Sequence, residues 1–298
     1  MCLLIFCADP FILCSNRDEY FDRHTIDGSY DTNTRKYSPV DVLKGGTWIA
    51  FSGGGNSRFA VVLNFHDWRY SIFSSWDPPC DRNKLSRGHL PADFVNAPDD
   101  VSARSFAHSI CPDRMDGFNL IVGDSNSCYY VSNCYNNGTP IELVRSEIHG
   151  ISNGHLFDMW PKIVEPKRKI KSLIPPKCNT GVPRTNYDVN TARDLAVQLL
   201  KVMQDDNPQQ DATYGWNVVA LTRLSAVNVQ PFSICGRMYG TRTIIIAIAC
   251  VLAEGVGGGG TGGLFISEHS RCSPVANRSA HSEQEWSTKE TILSEWTK

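Results

Sequence analysis

The chain opens with an unbroken apolar run, Leu3–Cys7, then an Asp9-Pro10 turn and a second run, Phe11–Ser15. Runs this short, rich in Leu, Ile and Phe, predict buried strands. Residues 20–42 are polar without a period and predict a loop. A Gly45-Gly46 turn feeds Thr47–Phe51, and Gly53–Asn56 turns the chain into Phe59–Phe65, so residues 46–65 predict a hairpin. Helical spacings follow at Leu90–Val95 and Asp99–Ile110, with Asp99 as N-cap. Phe118–Gly123 and Cys128–Ser132, joined by Asp124–Ser127, predict a second hairpin. Thr191 with Asp194 forms a capping box before a helix carrying Leu195, Leu199, Leu200 and Met203. Strands are expected at Pro231–Ile234 and Thr243–Leu252, and Gly257–Gly263 links the latter to Leu264–Ser267. From Glu268 the chain turns polar and predicts a tail, with a last helix near Trp286–Trp296.

Hairpins with helices inserted between groups of strands predict an α+β fold with antiparallel sheets. Two packed sheets with helices on their outer faces fit this order. The organised domain is expected over residues 1–268. Residues 269–298, polar and aperiodic after a glycine run, are expected as a dispensable tail.

Composition narrows the function. A formal net charge of −2 and the lack of a basic stripe with interleaved aromatics set nucleic-acid binding aside. The longest charge-free apolar run, Thr243–Ala253, has 11 residues, too few for a transmembrane helix. Cys2–Cys7 is too short for the apolar region of a secretory signal and lacks its basic flank. Eleven cysteines without a CxxC pair give no metal-site spacing. Reduced thiols are then expected, in the cytoplasm or at an organelle surface.

Cys2 follows Met1 directly. Removal of Met1 would leave a cysteine with a thiol and a free α-amine, which titrate near ~8.5 and ~8. One residue would then supply a nucleophile and its own general base. Cys2 also suits a small hydrophobe opening a core strand, and on its own it does not separate the two.

Several patches occur in order: Met1-Cys2, Asn16-Arg17-Asp18-Glu19, Gly45-Gly46-Thr47-Trp48, Leu63-Asn64-Phe65, Arg87-Gly88, Gly117-Phe118-Asn119-Leu120, Gly150-Ile151-Ser152-Asn153 before Trp160-Pro161-Lys162, and Tyr239-Gly240-Thr241-Arg242-Thr243. Together they resemble the transport and Golgi organisation protein 2 family, also called the NRDE-domain family. The resemblance implies an N-terminal-nucleophile hydrolase-like fold, a four-layer αββα sandwich. It is similar to conjugated bile-salt hydrolases and penicillin acylases that use an N-terminal Cys. By that likeness Cys2 matches the nucleophile, and Arg17 the Arg beside the thiol. Asp18 or Glu19 matches the acid that orients the α-amine. Asn64 and Asn153 match the oxyanion-stabilising positions, and Arg242 the second site Arg. Arg17 and the amine are expected to bring the Cys2 thiol below ~8.5.

The resemblance implies a role in Golgi organisation and protein secretion, with haem or an acyl compound as ligand and Golgi or mitochondrial association. Its alternative is a Cys2-dependent amidase, thioesterase or acyltransferase. No cofactor is required on either reading. His24, His66, His89, His149 and His155 lack a CxxCH pattern, so haem contact would be reversible.

Overall fold

In a computed structural model of the chain, the structure describes residues 2–65, 84–174, 187–208, 219–234, 236–252, 261–271 and 286–296. The first sheet holds β1 (Leu3–Ala8), β2 (Phe11–Tyr20), β10 (His149–Ile151), β13 (Arg237–Val251), β14 (Gly262–Arg271) and β15 (Trp286–Ser294), in the order β10-β1-β2-β13-β14-β15. Two short strands, β11 (Tyr187–Asp188) and β12 (Phe232–Ile234), also pair with β13. The second sheet is a meander of β3 (Thr25–Asp31), β4 (Lys36–Asp41), β5 (Ile49–Ser52), β6 (Arg58–Asn64), β7 (Phe118–Gly123), β8 (Cys128–Ser132) and β9 (Ile141–Glu142). Every pairing is antiparallel except β11 with β13.

Helices α1 (His89–Asn96) and α2 (Ala103–Ser109) cover the second sheet, while α3 (Pro161–Leu173) and α4 (Val189–Met203) cover the first. A short α5 (Val219–Leu224) follows. Three apolar clusters fill the spaces between layers. Leu3, Ile5, Ile244, Ile246 and Ile248 face α3 and α4, meeting Ile163, Ile170, Leu195 and Leu199. Leu4, Phe6, Leu13, Ile245 and Ala247 face the second sheet, meeting Phe51, Phe59, Val61 and Ile121. Ala60, Leu120 and Val122 face outward onto Leu90, Phe94 and Ala107. The order is helix, sheet, sheet, helix: the expected α+β, four-layer αββα arrangement. Strands such as β1 are buried on both faces, so their sequence is a continuous apolar run without alternation.

Several local expectations are corrected. Residues 20–42 are not a loop: β2 continues to Tyr20, and β3 pairs with β4. That hairpin is an edge ribbon, with Ile26 and Val40 exposed, so it lacks an apolar face to read. The helix expected at Asp99–Ile110 begins after Ser102, whose hydroxyl accepts from Ser105 N at 3.1 Å. Asp188 caps α4 in place of the Thr191 box, accepting from Asn190 N and Thr191 N at 2.8 and 3.0 Å. β13 begins at Arg237, six residues before the expected start at Thr243. The last helix expected near Trp286–Trp296 is instead β15, paired along β14 from Gly263↔Ser294 to Arg271↔Trp286. The presumed polar tail therefore contains a sheet strand, and Leu293 and Trp296 are buried between the sheets. Residues 257–260 of the glycine link lie outside the described residues, while Gly262 and Gly263 belong to β14. Among the described residues, no helix is long and apolar enough to cross a membrane.

Candidate functional site around Cys2

β1, β2 and β13 lie side by side, with Asn16 opposite both Leu3 and Ile244. Cys2, one residue before Leu3, falls beside Arg17 and Asp18. Its Sγ lies 3.8 Å from the Asp18 carbonyl. Strand alternation then splits the Asn16-Arg17-Asp18-Glu19 motif between two layers. Asn16 and Asp18 face the helices. Arg17 faces the second sheet.

Asn16 is a scaffold residue, its amide donating to the carbonyls of Met203 and Val227 at 2.9 and 2.8 Å. Asp18 forms the buried centre of the site. Lys162 Nζ, from the first turn of α3, donates to Asp18 Oδ2 at 3.0 Å, and both side chains have no exposed surface. Thr241 Oγ1 donates to Asp18 Oδ1 at 2.6 Å, and Tyr239 OH reaches the Asp18 carbonyl at 3.3 Å. Burial pushes the Asp18 carboxyl up, but Lys162, the chain's terminal amine and the Thr241 hydroxyl together outweigh it and hold the group below its ordinary value.

Arg17 lies over Trp48, 4.4 Å from the ring centroid, and donates to Thr25 Oγ1 at 3.1 Å. Glu19 and Asp41 stand 3.8 and 3.9 Å from its guanidinium. The same two acids pair more closely with Arg23, at 3.1 and 2.5 Å. Glu19 is thus engaged with arginines, and Asp18 is the acid at Cys2. The Gly46 and Gly88 patches set the approach to Trp48. Thr47 N donates to Gly88 O at 2.8 Å, and a Cβ on Gly46 would sit 2.6 Å from the Gly88 backbone.

The two asparagines arrive from opposite sheets. Ser152 Oγ donates to the Cys2 carbonyl at 2.6 Å, which brings the end of β10 to the nucleophile candidate. Asn153 Nδ2 donates to the Asn64 carbonyl at 2.6 Å, closing the link to the end of β6. Asn153 Oδ1 is buried without a hydrogen-bond partner. Asn119 supports the loop by donating to Gly154 O at 2.8 Å, and Tyr130 OH fixes that amide by donating to Asn119 Oδ1 at 2.8 Å.

Arg242 is the extra residue of a β-bulge between Thr241 and Thr243. Its guanidinium bonds the carbonyls of Arg23 and Tyr20 and lies over Phe21. Burial lowers its pKa, and the neighbouring Arg17 lowers it further. Arg242 thus belongs to the charged group beside Arg17 rather than touching Cys2. The structure sets Cys2 against Asp18 with the Arg17 charge acting on its thiol, reaches Asn153 and Asn64 through Ser152, and places Arg242 at the margin.

In the chain that retains Met1 the Cys2 thiol is pushed up: burial raises it, the chain's terminal amine opposes, the Asp18 charge adds to the rise, and Arg17 opposes without prevailing.

Lys162 belongs to the Trp160-Pro161-Lys162 patch, which by itself assigns it no role in the site. The available signal was a lysine on an apolar stripe. Lys162, Pro166 and Ile170 are spaced i, i+4, i+8, and all three are buried. Of the histidines, His149 gives its Nε2 to the Val144 carbonyl at 2.8 Å. His155 has a buried Nδ1 without a partner, beside Phe65 and Tyr135 at 5.0 and 5.5 Å. His66 lies outside the described residues.

The chain is 26% identical over 230 residues to the Transport and Golgi organization protein 2 homolog of Bos taurus, covering 70% of this chain and 74% of that protein. It is 25% identical over 194 residues to Transport and Golgi organization protein 2 of Drosophila melanogaster, covering 58% of this chain and 65% of that protein. Among solved structures it is similar, at a TM-score of 0.39 and 8% identity, to a Caenorhabditis elegans N-acylethanolamine-hydrolyzing acid amidase ortholog, over 83% of this chain and 92% of that one. The family model described as Transport and Golgi organisation 2 matches residues 1–251, and the chain belongs to that family.

Proposed function

We propose that this protein acts in Golgi organisation and protein secretion by handling an acyl compound at Cys2, with the latent chemistry of an N-terminal-nucleophile amidase or thioesterase. The observation that carries the reading is the buried Asp18 carboxylate, held ionised by Lys162, beside Cys2. After Met1 is removed, the Cys2 α-amine accepts the thiol proton as Sγ attacks an amide or thioester carbonyl carbon. The C–N or C–S bond breaks, and the leaving group takes that proton. Water then hydrolyses the Cys2 thioester. Asn153 Nδ2 and the Asn64 backbone N–H are the proposed donors to the oxyanion, with one Nδ2 hydrogen already given to the Asn64 carbonyl. Arg17 favours the thiolate and Arg242 extends the cationic margin.

The test is reaction with a thioester-based electrophilic probe, read by intact mass. Wild type lacking Met1 is expected to be modified at Cys2, and Cys2→Ala to be inert. Equal modification of both would remove the nucleophile role.

A second reading, reversible haem binding, is favoured by one feature: the buried, unpartnered Nδ1 of His155 beside two aromatic rings. Haemin titration of wild type is expected to give a shifted Soret band that His155→Ala lacks. Identical spectra would sink this reading.

A further inference from the structure

We propose that Lys162 is a positioning residue for Cys2, acting through Asp18, which it keeps ionised and aligned to accept a hydrogen bond from the Cys2 α-amine. This rests on the Cys2 reading above. The argument begins with protonation. A carboxyl without exposed surface takes up a proton unless a cation or several donors hold it ionised. A protonated Asp18 would offer an O–H, and an α-amine needs an acceptor if its lone pair is to turn towards the thiol. Lys162 is the largest favourable charge on Asp18, ahead of the chain's terminal amine, and it contacts the carboxylate at 3.0 Å.

Alignment is built in as well. Lys162 Nζ also donates to the Leu224 carbonyl at 3.3 Å and lies 5.9 Å from the centroid of the Trp160 ring, so the ammonium is fixed on two more sides. Thr241 Oγ1 accepts from Val229 N at 2.7 Å, which commits its own hydrogen to Asp18 Oδ1 at 2.6 Å. Each carboxylate oxygen thereby has a defined donor. A carboxylate offers about four acceptor positions, so a third donor from Cys2 is compatible with this set. A lysine that only anchored α3 to the first sheet would not need an acid from the residue pair at the candidate nucleophile. The pair also carries no net charge, so Asp18 can orient the amine without locking it as an ammonium.

The experiment uses the full chain with Met1 removed, verified by intact mass, and follows acetylation of Cys2 by phenyl thioacetate from about pH 5 to about pH 9. In that reaction the Cys2 Sγ–acetyl bond forms, the thioester C–S bond breaks and thiophenol leaves with the proton. Lys162→Met is expected to slow acetylation roughly tenfold near neutral pH and to add an inflection above neutrality as Asp18 titrates. Lys162→Arg is expected to keep the wild-type profile. Asp18→Asn/Lys162→Met, which buries no lone charge, is expected to be as slow but without the added inflection. A wild-type profile in Lys162→Met overturns the proposal. If that variant does not fold, a wild-type rate in the double variant overturns it. Wild type that resists acetylation at Cys2 throughout overturns the Cys2 reading itself, and this inference with it.

Discussion

Arg17, on β2 of the first sheet, lies 4.4 Å from the ring centroid of Trp48, which leads into β5 of the second. A stacked guanidinium contributes about 0.5–2 kcal/mol, and here it also fixes a positive charge close enough to lower the Cys2 thiol pKa. Removing that charge should raise the thiol further. Arg17→Met is therefore expected to slow Cys2 alkylation severalfold at mildly alkaline pH, measured by peptide mass. Trp48→Ala should act in the same direction but less, because Glu19, Asp41 and Thr25 still hold Arg17. Unchanged rates in both would show that Arg17 does not reach the thiol.

Burial raises the Cys2 thiol above its ordinary value, while Cys111 and Cys134 are exposed. In the chain that retains Met1, iodoacetamide near neutral pH should label Cys111 and Cys134 before Cys2. Labelling of Cys2 should overtake only as pH rises. Preferential labelling of Cys2 at neutral pH would contradict this order.

Asp18 and Lys162 should also govern stability. Removing one partner of a buried pair costs about 3–5 kcal/mol, so Asp18→Asn should lower urea stability by that order near neutral pH. Because the folded Asp18 pKa is depressed, its contribution is present above the unfolded value near ~3.9 and is lost as pH falls through the folded value. The gap between wild type and variant should therefore close in acid. A pH-independent gap would mean that the carboxylate charge is not what stabilises.

Glu268 should behave in the opposite sense. It accepts from Tyr37 OH at 2.6 Å and Gly28 N at 2.8 Å across the two sheets, and its Oε1 is buried without a partner. Burial pushes the carboxyl up and Asp27 adds to this, against the pull of Tyr37, Gly28 and Lys289. A raised folded pKa means that the contribution is present below the unfolded value near ~4.3 and is lost as pH rises through the folded value. Glu268→Gln keeps an acceptor for both donors and should gain on wild type in melting temperature between about pH 4 and about pH 8. A gain that shrinks with rising pH would refute the assignment.

The C-terminal strand should prove structural. Trp296 packs on Phe11 and Phe51, with ring centroids 5.1 and 6.3 Å away, and is buried. Trp296→Ala should cost about 3–5 kcal/mol. Truncation after Arg271 would remove β15 and bare the edge of β14, so aggregation should accompany the loss of stability. A truncated chain with wild-type melting would show that β15 is dispensable.

What the sequence determined was mostly the doubly buried interior. Leu3–Cys7, Phe59–Leu63 and Ile244–Val251 are continuous apolar runs because both faces of each strand are covered, and turn residues punctuate the hairpins between them. The ordered motif patches also marked the family and the residues around Cys2. The edges were less legible. β3, β4 and β15 carry mainly polar side chains because much of their surface meets water, and sheet pairing rather than an apolar pattern defines them. Only the tertiary structure could divide Asn16, Arg17 and Asp18 between two layers, since strand register fixes which way each side chain points. It alone brought Lys162 to Asp18 across 144 residues. It also showed that burial raises the Cys2 thiol in the chain that retains Met1, because desolvation depends on what packs around an atom, and a one-dimensional pattern of charges does not contain that.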